Sequence, residues 1–293
     1  DAIVNPNLPS CEFPSKSIAG VGVIFYVMLA LRTRLREMDW FADRGLREPN
    51  MAALLDLVAL GTVADVVPLD RNNRILIDEG LKRIRAGQTC PGILALLEVA
   101  NRKVRQLSAS DLGFSLGPRL NAAGRLDDMS TGIECLLAKE QGSAYELALQ
   151  LDAMNQDRRQ IEADMREQAF AYLEELKLEE NGIPPALCVY DPRWHQGVVG
   201  ILASRIKDRF NRPVIAFAEA SRDESPAEKG IELNGSARSI KGFHVRDALD
   251  AVACHHPGLI TRFGGHAMAA GLSLDKSRLT EFTKAFEDEA RRM

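Results

Sequence analysis

The segment from Ser143 to Glu180 divides this chain and constrains its fold more than any other stretch. Leu147, Leu151, Met154, Ile161, Met165, Tyr172 and Leu176 recur near the 3.6-residue period with acidic residues opposite, which predicts one long amphipathic helix. Asn181-Gly182 and then Pro184-Pro185 stop it, because glycine takes the left-handed turn at a helix end and proline cannot continue the ladder. The apolar stripe is too short for sustained heptads, so the spacing favours an interdomain helix packed on both lobes over a coiled-coil partner site. A chain of 293 residues has room for about two domains. The helix predicts where they part: 1–142, a connecting helix 143–182, and 183–293.

The two sides differ in pattern. Beyond the helix, Ala186–Tyr190, Val214–Phe217, Ile231–Ser239 and Leu272–Leu274 read as strands. Val198–Phe210, Val245–Val252 and Ser277 to the end read as helices, and Ser221–Lys229 as a polar loop. Strands separated by helices of this length indicate an α/β domain. The first side reads as helical. Ser15 or Ser17 caps a helix running to Met38, and Asn50 caps another that breaks at Gly61. Arg71–Arg85 turns Ile75, Leu76, Leu81 and Ile84 inward and stops at Gly87. Pro91 opens a helix to Ala100, residues 108–126 read as irregular and glycine-punctuated, and Thr131–Ala138 resumes helix. The expected fold class is α/β in two lobes, a helical one and an α/β one, joined by a long helix.

Charge and cysteine usage narrow the function classes. The net charge of −4 gives no global nucleic-acid signature, although a local basic groove suffices. Arg32, Arg34, Arg36, Arg102, Lys103 and Arg105 are candidates for such a groove and read equally as solvated surface. Cysteines 11, 90, 135, 188 and 254 are odd in number and never form CxxC, which fits a reducing, cytoplasmic setting and argues against disulfides or structural zinc. The apolar run Ile18–Leu31 is shorter than the ~18–20 residues that span a bilayer, so no membrane association is expected. The opening at Asp1, without initiator methionine or signal-peptide layout, reads as starting in mid-protein.

Five constellations carry candidate chemistry. Gly264 and Gly265 let a ligand approach the backbone, and His266 adds an imidazole at the same spot. Ser236, Arg238 and Ser239 offer a guanidinium fork and two hydroxyls, suited to a phosphate. Asp65 lies among small and β-branched residues at an element junction, where it reads either as a turn cap or as a metal ligand. Arg119, Asn121 and Arg125 read either as an anion cradle or as a loop staple to Asp127 or Asp128. His195 and Gln196, at the start of a helix, read as ligand contacts or as a plain loop-to-helix transition. Cys254-His255-His256 lacks a second ligand pair at zinc spacing and reads as a helix-end pair.

In order along the chain, GTVADVVPLD (61–70), GPRLNAAGRLDD (117–128), HQGVVGILASR (195–205), SARS (236–239) and FGGHAMAAG (263–271) resemble the RecJ-type single-stranded-DNA-specific exonucleases of the DHH phosphoesterase superfamily. The resemblance covers essentially all 293 residues. It implies that 1–142 is the rear part of a DHH domain and 183–293 a DHH-associated substrate domain. It implies that Asp65 is a catalytic, metal-coordinating carboxylate and that Asn121 and Arg125 face the scissile region. It implies further that Ser236, Arg238, Ser239, Gly264, Gly265 and His266 contact substrate. The activity implied is 5′-to-3′ hydrolysis of single-stranded DNA with paired Mn²⁺ or Mg²⁺ in DNA repair and recombination. The enzyme would be a monomer, with single-strand-binding protein and a helicase as partners. The family's Asp-His-His and Asp-x-Asp motifs are not in this sequence and would lie upstream of Asp1; its OB-fold is likewise missing. The expectation is therefore a fragment that is inactive alone. A DHH phosphodiesterase of short oligoribonucleotides or cyclic dinucleotides, and a noncatalytic nucleic-acid-binding scaffold, are the competing readings.

Overall fold

The computed structural model describes residues 3–126, 128–175, 182–220 and 231–293. The expected loop Ser221–Lys229, the staple through Asp127, the side chains of Tyr172 and Leu176, and the stop at Asn181 lie outside the described residues. Two compact units form, Asp1–Gln156 and Asp157–Met293. No described helix is long and apolar enough to cross a membrane.

The first unit is helical: α1 (Gly20–Glu37), α2 (Leu55–Ala64), α3 (Arg71–Arg85), α4 (Pro91–Val99), α5 (Gly117–Leu126), α6 (Ser130–Leu137) and the start of α7 (Gln141–Glu175). Its main core joins Leu60, Ile77, Ile84, Leu96, Leu112, Leu116 and Leu151, all buried. Glycine sets how closely these helices approach. A Cβ on Gly80 of α3 would overlap the Leu55 carbonyl oxygen of α2, and one on Gly92 of α4 would overlap the Cys135 carbonyl oxygen of α6.

Four sequence expectations change here. First, α1 starts at Gly20 behind Ala19 with no side-chain cap, because Ser15 instead donates its hydroxyl to the Asp70 carboxylate at 2.6 Å. Second, Asn50 caps a short 3-10 turn, Met51–Leu54, and α2 then runs through Gly61 to Ala64. Gly61 is a contact glycine, since a Cβ there would meet Val21 of α1 at 2.8 Å. Third, Ile75 is 52% exposed and Ile77 takes its expected place in the core. Fourth, residues 108–126 are helical. Ser108 and Asp111 close a capping box, a π turn spans Leu112–Leu116, and α5 follows without a break.

The second unit holds a five-stranded sheet of order β1-β2-β3-β5-β4: β1 (Leu187–Tyr190), β2 (Val214–Glu219), β3 (Glu232–Arg238), β4 (Arg262–Gly265) and β5 (Ala269–Asp275). β1 and β2 are parallel across helix α8 (Val199–Phe210), and every other pairing is antiparallel. Strand β4 was not expected from sequence. Leu233, Ala237, Ala270, Leu272 and Leu274 face the buried side with residues of α9 (Val245–His255) and α10 (Leu279–Arg292). There Phe282 meets Phe217 edge-on at 5.7 Å and stacks on Phe286 at 5.9 Å.

The long helix α7 contributes to the order of each unit. In the first, Ala144, Ala148 and Leu151 are core residues. In the second, Gln168 accepts a hydrogen bond from the Trp194 indole at 3.2 Å, Glu162 pairs with Arg205 at 3.2 Å, and the Arg209 guanidinium sits 4.5 Å over the Phe170 ring.

Two predictions follow from the first unit's packing. Gly80→Ala should cost about 1–3 kcal/mol in a urea melt, the range for overpacking a filled interior. Gly142→Ala, where nothing lies within 4 Å, should be neutral or stabilising by up to about 1 kcal/mol. Equal effects from the two would show that the α2–α3 approach does not need glycine. The second concerns Asp70, which caps α3. The Asn73 amide and the Ser15 hydroxyl hold its carboxyl below the usual carboxylate range. A depressed folded value contributes stability above the ordinary carboxylate pKa and loses it as pH falls through the folded value. Asp70→Ala should therefore cost about 1 kcal/mol at neutral pH, with the gap to the parent closing in acid. A gap independent of pH would mean that the carboxylate charge contributes nothing.

Candidate functional site

In the first unit two sequence-nominated segments meet at the end of α2: the junction that carries Asp65 and the segment that opens at Gly117. Asp65 is the C-cap residue, exposed, its backbone amide donating to Gly61 at 3.0 Å. Among the described residues its carboxylate takes no recorded hydrogen bond, so the turn-capping alternative is not what it does here. Asp56, Asp70, Asp111 and Asp128 differ, each accepting from backbone amides. A carboxylate at a helix C-terminus also faces the negative end of the macrodipole, a position that a bound cation would relieve. The next residue, Val66, is 86% exposed with φ +56°. Holding a β-branched residue left-handed costs on the order of 1–3 kcal/mol, and such strain clusters at functional sites.

Helix α5 and the π turn pack on this end. A Cβ on Gly117 would meet Ala64 at 3.4 Å, and one on Gly113 would meet Val63 at 3.1 Å. Asn121 and Arg125 are both exposed and four residues apart, so they share one face of α5, about 6 and 12 Å of helix rise beyond Gly117. Arg119 does not join them. Its guanidinium is 16% exposed, pairs with Asp152 of α7 at 2.8 Å and donates to the Ser115 carbonyl at 2.6 Å. Arg119 is tied by an ion pair, but from a helix rather than a loop and to Asp152 rather than Asp127 or Asp128.

In the second unit the candidate residues sort by strand face. Asn234, Ser236 and Arg238 alternate along β3, opposite Leu233, Gly235 and Ala237. Register places Ser236 beside Gly271 and Gly271 beside Gly264 across three strands, a row with almost no side chains. The next row is a polar chain: Arg262 donates to the Ser273 hydroxyl at 2.9 Å, and Ser273 to Asn234 at 2.7 Å. Gln196 joins these residues around an open cleft of about 460 Å³. Its side-chain oxygen is buried and has no hydrogen-bond partner among the described residues. Sequence reasoning missed Asn234, Ser273 and Arg262. The period-two polarity of β3 was the available signal for Asn234, whereas the other two depend on pairing.

Arg238 and Ser236 lie over α8. Arg238 donates to Ser236 at 3.1 Å and to the Ala237 carbonyl at 2.8 Å. A Cβ on Gly200 would sit 2.7 Å from the guanidinium and 2.9 Å from the Ser236 hydroxyl. Ser239 is different. It is buried on the other face, and its hydroxyl donates to the Phe243 carbonyl at 2.6 Å. Its amide binds the Met268 carbonyl at 2.9 Å, and Val245 binds the Ala267 carbonyl at 3.0 Å. These bonds hold the β4–β5 turn that carries His266.

The expected glycine-rich loop is thus an edge strand and its hairpin turn. Gly265, at φ +147°, has no room for a Cβ beside Ala270, whereas Gly264 has open space around it. His266 is exposed, its amide bonded to the Ala269 carbonyl at 2.8 Å. His195 is exposed as well, and its Nδ1 accepts the Gly197 amide at 3.1 Å, shaping the turn into α8. His255 ends α9 and His256 caps it, as the sequence suggested for that pair.

The family model described as the DHHA1 domain matches residues 184–292. The single-stranded-DNA-specific exonuclease RecJ of Dickeya dadantii is 63% identical over 288 residues, covering 98% of this chain and 49% of the relative. RecJ of Escherichia coli is 60% identical, covering 98% and 48%. Among solved structures, Thermus thermophilus RecJ in complex with Mg²⁺ superposes with a TM-score of 0.75 at 32% identity, over 96% of this chain and 39% of that one. Exonuclease RecJ bound to manganese gives 0.73 at 32% identity, over 98% and 64%. The chain spans about half the length of the relatives from D. dadantii and E. coli. With this identity along nearly its whole length and a DHHA1 domain in its second unit, the chain belongs to the RecJ family.

Proposed function

We propose that this chain is part of a 5′-to-3′ exonuclease that hydrolyses phosphodiester bonds of single-stranded DNA, serving DNA repair and recombination. The observation that carries the reading is the second unit's polar sheet face, where Ser236 and Arg238 border a side-chain-free glycine row beside a cleft. A strand backbone needs such a surface: donors for phosphate oxygens, and glycine where the chain must come close. A guanidinium presents a planar fork to phosphate, and Gly200 leaves it the space to lie where it does. The exposed His266 imidazole and the Gly264 backbone supply further donors for the strand end. Residues 1–142 then correspond to the rear part of the DHH domain, 143–182 to a connecting helix, and 183–293 to the DHH-associated domain.

In the first unit, Asp65 fits as one oxygen ligand of a hard divalent cation such as Mn²⁺ or Mg²⁺, which the related structures named above contain. Among the described residues no three His, Cys, Asp or Glu side chains gather into a metal-binding group, so these residues offer one ligand and not a complete set. Bound divalent ions would supply water activation and charge neutralisation at the phosphodiester. Asn121 and Arg125 would hold and orient the strand beside that carboxylate. Burial pushes the Cys135 thiol up to about 11, keeping it protonated at neutral pH. Single-strand-binding protein and a helicase are the partners this activity implies, with the enzyme itself a monomer.

Two experiments test the reading. With 5′-labelled single-stranded DNA and Mn²⁺, this 293-residue chain should release no nucleotide by itself, since one carboxylate cannot hold two cations in reacting geometry. Release that disappears in Asp65→Ala would show that the chain carries a sufficient site. For binding in EDTA, Arg238→Ala should weaken affinity roughly tenfold or more, as expected for a hydrogen bond to a charged group. It should also flatten the dependence of affinity on salt, because one fewer phosphate is neutralised. Unchanged affinity and slope would leave Arg238 as a structural staple and move the strand elsewhere.

A further inference from the structure

The π turn Leu112–Leu116 displays an aromatic ring that neither the fold nor the site above accounts for. Phe114 is 85% exposed, while Leu112, Ser115 and Leu116 around it are buried. Among the described residues no ring or cation stacks on it. Exposing a phenyl ring in this way forgoes the burial that holds the other phenylalanines of the core.

The positions around the turn show what Phe114 stands between. Leu112 and Leu116 enter the core. Gly113 and Gly117 lie against Val63 and Ala64, the end of α2 that carries Asp65. Asp111 and Ser115 meet Arg102, which pairs with the carboxylate at 3.4 Å and donates to the hydroxyl at 3.1 Å. Residues one position apart on a helix point about 80–100° apart, so Phe114 occupies the sector between the Asp65 side and the Arg102 side. Lys103 and Arg105, both exposed, follow Arg102 in sequence. A solvent-facing ring with a guanidinium beside its turn matches what single-strand binders use, the ring for a base and the cation for a phosphate. Phe114 lies at the centre of the π turn, a kind of turn found frequently at functional sites.

We propose that Phe114 is a base-stacking platform, holding one unpaired base of the strand beside Asp65 while Arg102 faces its phosphate. The proposal rests on the reading of this chain as part of a single-strand-specific exonuclease. It adds a source for that specificity, because a base paired in a duplex does not offer its face to a ring.

The test measures binding by this chain, in EDTA, of a base-carrying single strand and of the same strand made of abasic deoxyribose phosphates. Phe114→Ala and Phe114→Trp are compared with the parent, and thermal melts by circular dichroism confirm folding at so exposed a position. The parent should prefer the base-carrying strand. Phe114→Ala should bind that strand roughly 5- to 150-fold more weakly, bind the abasic strand as before, and so lose the preference, whereas Phe114→Trp keeps it. Equal losses on both strands, or no loss on either, overturns the stacking role while leaving the strand-binding reading standing. If the parent binds neither strand in a salt-dependent manner, the strand-binding reading fails and the stacking role goes with it.

Discussion

The second unit depends on the alternation of β3. Odd residues Leu233, Gly235 and Ala237 are buried, while Asn234, Ser236 and Arg238 stay half-buried on the opposite face. A slip of one residue would exchange the two sets and place a guanidinium among phenylalanines. The strand ends are therefore pinned by bonds outside the ladder. Ala220 donates to the Glu232 carbonyl at 2.9 Å, Lys276 to the Ile231 carbonyl at 2.8 Å, and Ser239 to the Met268 carbonyl at 2.9 Å. Ser239 thus holds the β4–β5 turn through its backbone while its hydroxyl binds the Phe243 carbonyl.

In the first unit the corresponding constraint is close backbone approach. Helix α2 is approached by Gly80 of α3, meets Val21 of α1 at Gly61, and lies against Gly113 and Gly117 near its end. These contacts fix the direction of its last turn, and with it the place of Asp65 and the left-handed Val66. The strain at Val66 is tolerable because the helix before it is held from several sides.

What was legible in the sequence follows from the range of the interactions. Helix α3 and its stop at Gly87, at φ +73°, are set by local periodicity and a local cap, and their bounds are legible, although Ile77 rather than Ile75 faces the core. Residues 108–126 were misread because their glycines look like breakers when isolated. Gly113 and Gly117 exist for contacts with α2, and Pro118 sits in the first turn of α5, where proline is tolerated. The Ser108–Asp111 capping box was the overlooked local signal. The partner of Arg119 is illegible for a different reason, since Asp152 is distant in sequence. Strand β4 has no alternation to read, and only pairing with β5 makes Arg262–Gly265 a strand.

That pairing leaves β4 at the rim of the sheet, with one side of its backbone unladdered. A bare strand edge is an invitation to a second molecule, which can add its own strand and begin an aggregate. Here the run is four residues long, opens with the charged Arg262 and closes on Gly265 at φ +147°, outside the geometry of an extending ladder. The glycine that closes the strand therefore also keeps this edge from templating copies of the protein.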